Sequence, residues 1–237
     1  MQSDRFRPPW ERGFDAFAMS AYPHVARGFG YTFRVGDASQ LGYDAKRVLH
    51  DVWAPLGIDI PDEVAWVGER FMNTATWIVA YHRARPVGVM GLFDPREASP
   101  NMMYNRVCVP PNLDLSRTRE IARLAILREH RGGAQLVMVG LLREMLRIAL
   151  EANVRWLLTS STEALLRVYR RFNPTARIVE TIPVEFELPE VTRYFASPRA
   201  VTGPQVLFTF EVEGARPWEV FSRFLRHTVG LRSGRRR

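Results

Sequence analysis

A charged, glycine-containing turn separates two apolar segments between Arg119 and Gln135, where the sequence reads REIARLAILREHRGGAQ. The apolar run from Ile121 to Leu127 ends at this turn, and an apolar periodic segment follows it. The first backbone N–H groups of a helix have no intrahelical partner, and glycine lets a ligand approach the backbone closely. The turn could therefore hold an anion such as a phosphate group. The alternative is an ordinary strand–helix connection in an arginine-rich protein, because short loops of this kind are common.

Side chains able to transfer protons or donate hydrogen bonds occur on both sides of this turn. Glu120 lies on the strand that leads into it, Ser160 and Ser161 end a later strand, and Tyr169 lies on the amphipathic segment EALLRVYRRFN. Each has a structural alternative: an exposed strand residue, a helix cap, and a core residue, respectively. Glu120 and Arg123 are three residues apart, so a regular strand would place them on opposite faces.

The charge balance favours an anionic partner. The formal net charge is +8 and the pI is about 10.3, with Lys46 as the single lysine among 33 basic residues. Arginine keeps its charge and binds phosphates with two hydrogen bonds. A hydrophobic content of 46% is ordinary for a globular protein, so an intrinsically disordered chain is excluded.

Cysteine and histidine usage argues against disulfide and metal chemistry. Cys108 is the single cysteine, which excludes an intramolecular disulfide and predicts a reducing, cytoplasmic location. No histidine is visibly paired with it, so we expect no nucleophilic role for Cys108. The histidines lack metal-ligand spacing, and no metal site is expected; they are His24, His50, His82, His130 and His227. No secretory signal and no apolar run of membrane-spanning length is visible.

The elements that would position these residues alternate between strand and helix. YTFRV from Tyr31 predicts a strand, and a helix capped by Ser39 should follow and end near Pro55. A shorter helix should open at Pro61, and ATWIVAYH and VGVMGLFD should form a hairpin around the turn RARP. A long proline-punctuated loop follows, at residues 94–118.

The second half continues the alternation. REIARLAI predicts a strand, a helix should run from about Gln135 to Ala152, and RWLLTSS predicts the next strand. A helix containing Tyr169 and the strands ARIVETIPVEFEL and QVLFTFEVE complete the pattern. We therefore expect an N-terminal arm at residues 1–30, a mixed α/β domain on one sheet at 31–214, and a basic amphipathic helix with a tail at 215–237.

Two of these segments resemble motifs of the GNAT acyltransferase superfamily. LAILREHRGGAQL is similar to that family's phosphate-loop pattern L-A-V-x-P-x-x-R-G-x-G-x-G/A, and EALLRVYRRFN is similar to its A-x-x-x-Y-x-x-x-G-F helix. The resemblance covers roughly residues 75–185 and implies a single mixed, mostly antiparallel sheet flanked by helices. Ala134 and Leu136 replace the two later glycines of the pattern, and the side chain of Leu136 is expected to crowd a pyrophosphate.

Within that superfamily, the chain resembles the autoinducer synthases and the N-acyl amino acid synthases. These enzymes have degenerate glycine loops and tend to take their acyl group from an acyl carrier protein. Their strand typically carries a glutamate, a small residue and an arginine, which Glu120, Ala122 and Arg123 reproduce.

The resemblance implies direct attack of an amine on a thioester, with no tightly bound cofactor and with acyl-CoA or acyl-phosphopantetheine as the donor. Glu120 would be the base and Tyr169 would face the leaving sulfur. The donor would bind through Ala125, Ile126, Leu127, Arg128, Arg131, Gly132, Gly133 and Ala134. The substrate would contact Arg123, Ser160 and Ser161 and a cleft beneath the central strands, lined by Trp77, Met90 and Leu92.

The role of the C-terminal helix and two other functions remain open at this stage. The C-terminal helix could dock an acidic acyl carrier protein, lie on a membrane surface or pack on the sheet. An ordinary acetyl-CoA-dependent enzyme is one alternative function. A non-enzymatic module that binds nucleic acid is another, although the tail offers few aromatic residues for base stacking, so nucleic acid is the less favoured partner.

Overall fold

A computed structural model of the chain describes residues 20–56, 74–96, 113–131, 136–162, 166–167, 169–170, 173–182 and 205–212. Several predicted features lie outside these residues: the start of the N-terminal arm, the helix at Pro61, most of the loop at 94–118 with Cys108, residues Gly132–Ala134 and the C-terminal helix. The domain boundaries at residues 30 and 214 and the role of that helix stay predictions. No helix in the described ranges is long and apolar enough to cross a membrane.

The described strands form one seven-stranded sheet in the order β1-β2-β3-β4-β5-β7-β6. They are β1 (Tyr31–Gly36), β2 (Ala75–His82), β3 (Arg85–Phe93), β4 (Thr118–Ile126), β5 (Trp156–Thr162), β6 (Arg177–Ile182) and β7 (Gln205–Glu211). The pair β4–β5 is parallel, and the other adjacent pairs are antiparallel. This confirms the mixed, mostly antiparallel sheet.

Helices cover both faces of the sheet. Helix α2 (Ala38–Trp53) lies on one side, called the α2 face, and α3 (Leu136–Glu151) lies on the other, called the α3 face. Residues 20–28 are helical and form α1. Tyr22 and Ala26 of α1 are buried in the same core cluster as α3, so this part of the predicted arm packs on the α3 face.

The N-terminus of α2 is capped by Asp37, not by Ser39 as the sequence indicated. The Asp37 carboxylate accepts a hydrogen bond from the Gln40 backbone N–H at 3.2 Å, and the Ser39 hydroxyl donates to the same oxygen at 2.6 Å. The helix therefore begins two residues earlier, because an aspartate already in extended conformation can satisfy its first N–H groups.

The predicted β2–β3 hairpin is confirmed, and a turn of only two residues joins its strands. Arg83 and Ala84 both have positive φ values, of 48° and 70°. Two successive positive φ angles are typical of a type I′ turn. The backbone twist of this turn matches that of the flanking strands, so it joins them without forcing them apart. The hairpin thus brings His82 and Arg85 to the sheet end where β4 finishes, since Gly88 pairs with Ile126.

Helix α3 approaches the sheet closely at Gly140. A side chain added at Gly140 would overlap the ring of Phe33 on β1 and the hydroxyl of Tyr22 on α1. The Tyr22 hydroxyl donates a hydrogen bond of 2.5 Å to the carbonyl of Leu136, the first residue of α3. Because Gly140 has no side chain, Tyr22 of α1 can come close enough to α3 to bond the carbonyl of its first residue.

We predict that Gly140→Ala lowers the free energy of unfolding, although alanine is the better helix former. The gain in helix propensity is about 1 kcal/mol, whereas overpacking a filled core costs about 1–3 kcal/mol. Gly42→Ala in α2 is the matched control, because its added carbon would meet only the Ala38 side chain, at 3.4 Å. Urea denaturation should show a loss for Gly140→Ala and none for Gly42→Ala; equal gains for both would contradict the close approach.

Candidate functional site

Strands β4 and β5 separate after a short parallel contact. Their ladder consists of three pairs, from Thr118–Trp156 to Glu120–Leu158. Beyond it, residues 121–126 pair only with β3 among the described strands, whereas β5 stays paired with β7 along seven residues. The result is a wedge, here called the β4–β5 opening, between residues 121–126 and 159–162. Ser160 and Ser161 lie on its β5 side.

A bulge in β4 accompanies this divergence. Val89 pairs with Ala125 and Gly91 pairs with Ala122, so Met90 alone faces both Arg123 and Leu124. Arg123 has a φ of 60°, a conformation that costs a residue with a side chain about 1–2 kcal/mol. Such bulges bend a strand and increase its local twist. The bulge therefore turns the second half of β4 away from β5.

The bulge also places Glu120 and Arg123 on one face, which corrects the expectation that they lie on opposite faces. Glu120 pairs with Phe93, a core residue of the α2 face. The Arg123 Cζ atom lies 5.8 Å from the ring centroid of Trp53 at the end of α2. Strict alternation fails here because Arg123 is itself part of the bulge, where two residues of β4 oppose one residue of β3.

The buried Glu120 and the half-buried Arg123 are neighbouring groups of opposite charge. Glu120 is 1% exposed, and a carboxylate at such a depth needs a compensating charge or hydrogen bonds. Burial lowers the pKa of Arg123 to about 9, and the Glu120 carboxylate opposes that shift. Arg123 is thus a cation at neutral pH, close to a carboxylate and stacked on an indole ring.

The end of β4 directs backbone and side-chain groups to the β4–β5 opening. The Leu127 N–H donates to the Val87 carbonyl on β3 at 2.9 Å. Because neighbouring residues of a strand point their N–H groups in opposite directions, the Ile126 N–H points away from β3. The Ile126 carbonyl accepts a bond of 2.7 Å from Arg131 Nε, which places that guanidinium on the side of the opening. Ala125 and Leu127 are buried beside it.

The loop after β4 leads directly into α3, as the sequence predicted. In this β4–α3 loop, residues 127–135, Arg128–His130 form a 3-10 turn, and Arg128 and Arg131 are exposed. Gly132, Gly133 and Ala134 lie outside the described residues. Helix α3 begins at Leu136, so its N-terminal N–H groups lie beside the end of β4.

Leu136, whose side chain was expected to crowd a bound pyrophosphate, packs into the core instead. Leu136 is 3% exposed, and its side chain belongs to the core cluster of the α3 face. It shares one side of the helix with Gly140, four residues on, and that side packs on α1 and the sheet. A leucine at this position therefore fills the core.

Tyr169 is buried on the α3 face, next to β7. It is 5% exposed, and its ring centroid lies 5.3 Å from that of Phe208 and 6.1 Å from that of Phe210. Phe208 pairs with Thr159, the first β5 residue beyond the β4–β5 ladder. Burial raises the pKa of Tyr169, so its hydroxyl stays protonated and can act only as a proton donor at neutral pH. Its catalytic role stays a prediction.

Trp77, Met90 and Leu92 do not line one cleft, which corrects the expected acyl site. Trp77 belongs to the core of the α2 face, whereas Met90 and Leu92 belong to that of the α3 face. Trp77 packs edge-to-face on Phe93, with centroids 5.8 Å apart. The sheet itself separates the two groups, because adjacent side chains of a strand alternate between faces.

Trp53 and Phe93 were missed by the sequence analysis. Trp53 lies under Arg123, and Phe93 lies opposite Glu120, so both shape the surroundings of the charged pair. Their contacts depend on the β3–β4 register and on the bulge. The sequence did not indicate either contact, because the bulge is formed by an arginine, and glycine is the residue whose presence usually marks such a position.

Comparison with solved structures identifies the architecture. The AHL synthase LasI is similar at a TM-score of 0.53 and 12% identity, over 81% of this chain and 94% of that chain. The N-acyl amino acid synthase FeeM from uncultured soil microbes is similar at 0.52 and 13%, over 82% and 99%. The CoA-dependent acyl-homoserine lactone synthase BjaI is similar at 0.55 and 16%, over 85% and 90%.

The chain has the GNAT fold. No protein-family model matches the sequence, and no curated protein sequence matches it. The structural likeness to these three structures extends over most of the chain.

The bulge predicts that glycine is more stable than alanine at Arg123, the reverse of the order expected at a regular strand position. At Arg123, glycine should give a higher free energy of unfolding than alanine by about 1 kcal/mol, because glycine adopts positive φ freely. Arg119, on the same strand, is the matched control and has no positive φ. There alanine should be the more stable by about 0.5–1 kcal/mol. Denaturation of the four variants measures this, and the same ranking at both sites would argue against a bulge at Arg123.

Proposed function

We propose that this chain is an N-acyltransferase that moves an acyl group from a thioester to the amine of an amino acid or a similar small acceptor. The observation that supports it best is the β4–β5 opening, with a buried carboxylate and a guanidinium on the α2 face of the same strand. The three similar GNAT-fold structures are named as synthases of acyl-homoserine lactones or N-acyl amino acids, which supports the same class of reaction.

The donor arm would lie in the β4–β5 opening as an extended chain. Unpaired strand edges offer backbone donors and acceptors that an amide-containing arm such as phosphopantetheine can satisfy. The phosphate would bind at the start of α3 and at Arg131, which already lies beside Ile126. Gly132 and Gly133 would let that phosphate approach the backbone.

In the proposed reaction, Glu120 would act as the base, the Ile126 N–H as the oxyanion donor and Tyr169 as the acid. Glu120 would take a proton from the acceptor ammonium, directly or through water, and the free amine would attack the thioester carbonyl carbon. The Ile126 N–H would stabilise the oxyanion that forms. When the carbon–sulfur bond breaks, the thiolate would take the proton of Tyr169, whose hydroxyl is protonated at neutral pH. The amine nitrogen would lose its second proton to solvent as the amide forms, and Tyr169 would regain a proton from solvent.

The acceptor would enter from the α2 face, where Glu120 and Arg123 lie together. An α-amino acid carries an ammonium group and a carboxylate on one carbon, and these would meet Glu120 and Arg123 respectively. Arginine binds a carboxylate through two parallel hydrogen bonds, which would fix the amine near the thioester. Ser161, partly buried on β5, is a further candidate contact.

The donor is either acyl-CoA or an acyl carrier protein. The BjaI structure is described with isopentyl-CoA, which concerns that enzyme. In this chain, the burial of Leu136 removes the crowding that argued against a CoA pyrophosphate. An ordinary acetyl-CoA-dependent enzyme is therefore the second candidate. The basic surface suits an acidic carrier protein, and a nucleic-acid-binding module would have no use for Glu120 and Arg123 in this position.

A thiol-release assay tests the proposal. Purified protein would be offered acyl-CoAs from acetyl to palmitoyl, and the matched acyl-carrier-protein thioesters, against a pool of amino acids. We expect amine-dependent release that falls about 10²-fold or more in Glu120→Gln, because general base catalysis contributes at least that much. Tyr169→Phe should also be slower. Tyr81→Phe, a buried tyrosine bonded to Asp44, and Glu144→Gln on α3 are the controls and should keep activity.

The outcomes of this assay distinguish the candidate functions and test the assigned residues. Release from long-chain carrier thioesters alone supports an acyl-carrier-using synthase, and release from acetyl-CoA alone supports an ordinary acetyltransferase. Amine-dependent release that survives Glu120→Gln and Tyr169→Phe would contradict the assigned residues. Absence of amine-dependent release from every donor would contradict the proposed function and leave the binding module.

A further inference from the structure

The ring of Trp53 lies beside the guanidinium group of Arg123, and the two side chains come from different elements. The Arg123 Cζ atom is 5.8 Å from the ring centroid, within the distance of about 6 Å over which a cation and an aromatic face attract each other. Trp53 is the last residue of α2, and Arg123 lies in the bulge of β4. The contact therefore links the end of a helix to the irregular part of the strand.

Helix α2 holds the Trp53 ring in a defined place. Leu41, Ala45 and Leu49 form a buried stripe along the helix, at intervals of four residues. Trp53 continues that stripe by one more interval. Its ring is partly buried and packs against the core cluster of the α2 face. A tryptophan side chain has only two torsions, so a ring anchored in this way can order a more mobile neighbour.

An arginine side chain can contact an aromatic ring and still bind a carboxylate. The flat face of the guanidinium group meets the ring, whereas its N–H donors point outward in the plane of the group. A carboxylate binds to that edge through two parallel hydrogen bonds. A side chain that is already ordered loses less conformational freedom when it binds, so an ordered Arg123 would bind a carboxylate more tightly.

We propose that Trp53 is a positioning residue, whose ring orders the Arg123 guanidinium group so that it can bind the carboxylate of the acceptor amino acid. This inference rests on the proposed function, in which Arg123 meets that carboxylate and Glu120 meets the ammonium group. Trp53 acts through Arg123, so its contribution to acceptor binding should depend on the presence of a carboxylate.

Nuclear magnetic resonance of the ligand-free, full chain tests the ordering independently of activity. With isotope-labelled arginine, the Arg123 Nε–H signal is identified by its absence in Arg123→Lys. The heteronuclear Overhauser effect of this signal should fall in Trp53→Leu, because the side chain becomes more mobile. Trp53→Phe keeps an aromatic face and should retain most of the effect.

A second arginine–tryptophan contact supplies the matched control. The Arg155 Cζ atom is 5.4 Å from the ring centroid of Trp156, at the start of β5. Trp156→Leu therefore removes a similar contact and should leave the Arg123 signal unchanged. An Arg123 signal that is as ordered in Trp53→Leu as in the parent chain would overturn the inference.

Acceptor kinetics test the consequence for binding. The probes are the amino acid that gives the fastest thiol release and the carboxamide of the same amino acid, which keeps the amine and lacks the carboxylate. Trp53→Leu should raise the KM for the amino acid about three- to tenfold, as expected for the loss of one cation–π contact. Its kcat should change little, because the lost interaction concerns binding. Its KM for the carboxamide should equal that of the parent chain, and Trp53→Phe should restore most of the KM for the amino acid.

The two acceptors separate positioning from a general structural role. A distorted site would affect both acceptors, so equal rises in KM for the amino acid and its carboxamide would overturn the inference. A rise in Trp156→Leu as large as in Trp53→Leu would also overturn it. If the parent chain transfers an acyl group to no acceptor, the proposed function fails, and the resonance data still decide whether Trp53 orders Arg123.

Discussion

The divergence of β4 from β5 is the constraint on which the other features of this molecule depend. A sheet that pairs fully on both sides of β4 would leave no backbone group for a ligand. Here the parallel ladder ends at Glu120, and the bulge at Arg123 bends the strand away. The bulge lies in the half of β4 that has separated from β5, and it places Arg123 on the α2 face. One backbone irregularity therefore accompanies both the opening and the charged pair.

The two faces of the sheet divide the proposed chemistry between them. On the α2 face, Glu120 and Arg123 lie among aromatic rings, in surroundings suited to an acceptor with an ammonium and a carboxylate. On the α3 face, Tyr169 lies against β7. The start of α3 is fixed by the hydrogen bond from Tyr22, which the missing side chain of Gly140 permits. In the proposed reaction the amine would therefore give a proton to a residue of one face, and the departing thiolate would take a proton from a residue of the other.

The elements of this fold could be predicted where local signals are strong. β-branched and aromatic runs predicted β2, β3 and β5, and apolar periodicity predicted α3 to within a residue at each end. The placement of Glu120 and Arg123 on the same face could not be predicted. Side-chain alternation assumes a regular strand, and an arginine in the sequence does not indicate a positive φ. The expected cleft of Trp77, Met90 and Leu92 was wrong because the β2–β3 register puts Trp77 on one face of the sheet and Met90 and Leu92 on the other. Leu136 was misjudged because a motif position does not say which side of the helix is buried.

The most direct test of the account is amide hydrogen exchange with a non-hydrolysable thioether analogue of an acyl thioester, prepared on both CoA and the acyl carrier protein. The account predicts that one of these analogues protects two separate segments together, residues 121–126 of β4 and 159–162 of β5. Those are the strand edges that the β4–β5 opening exposes. Protection confined to other parts of the chain, with both of these edges unchanged, would contradict the claim that the opening holds the thioester.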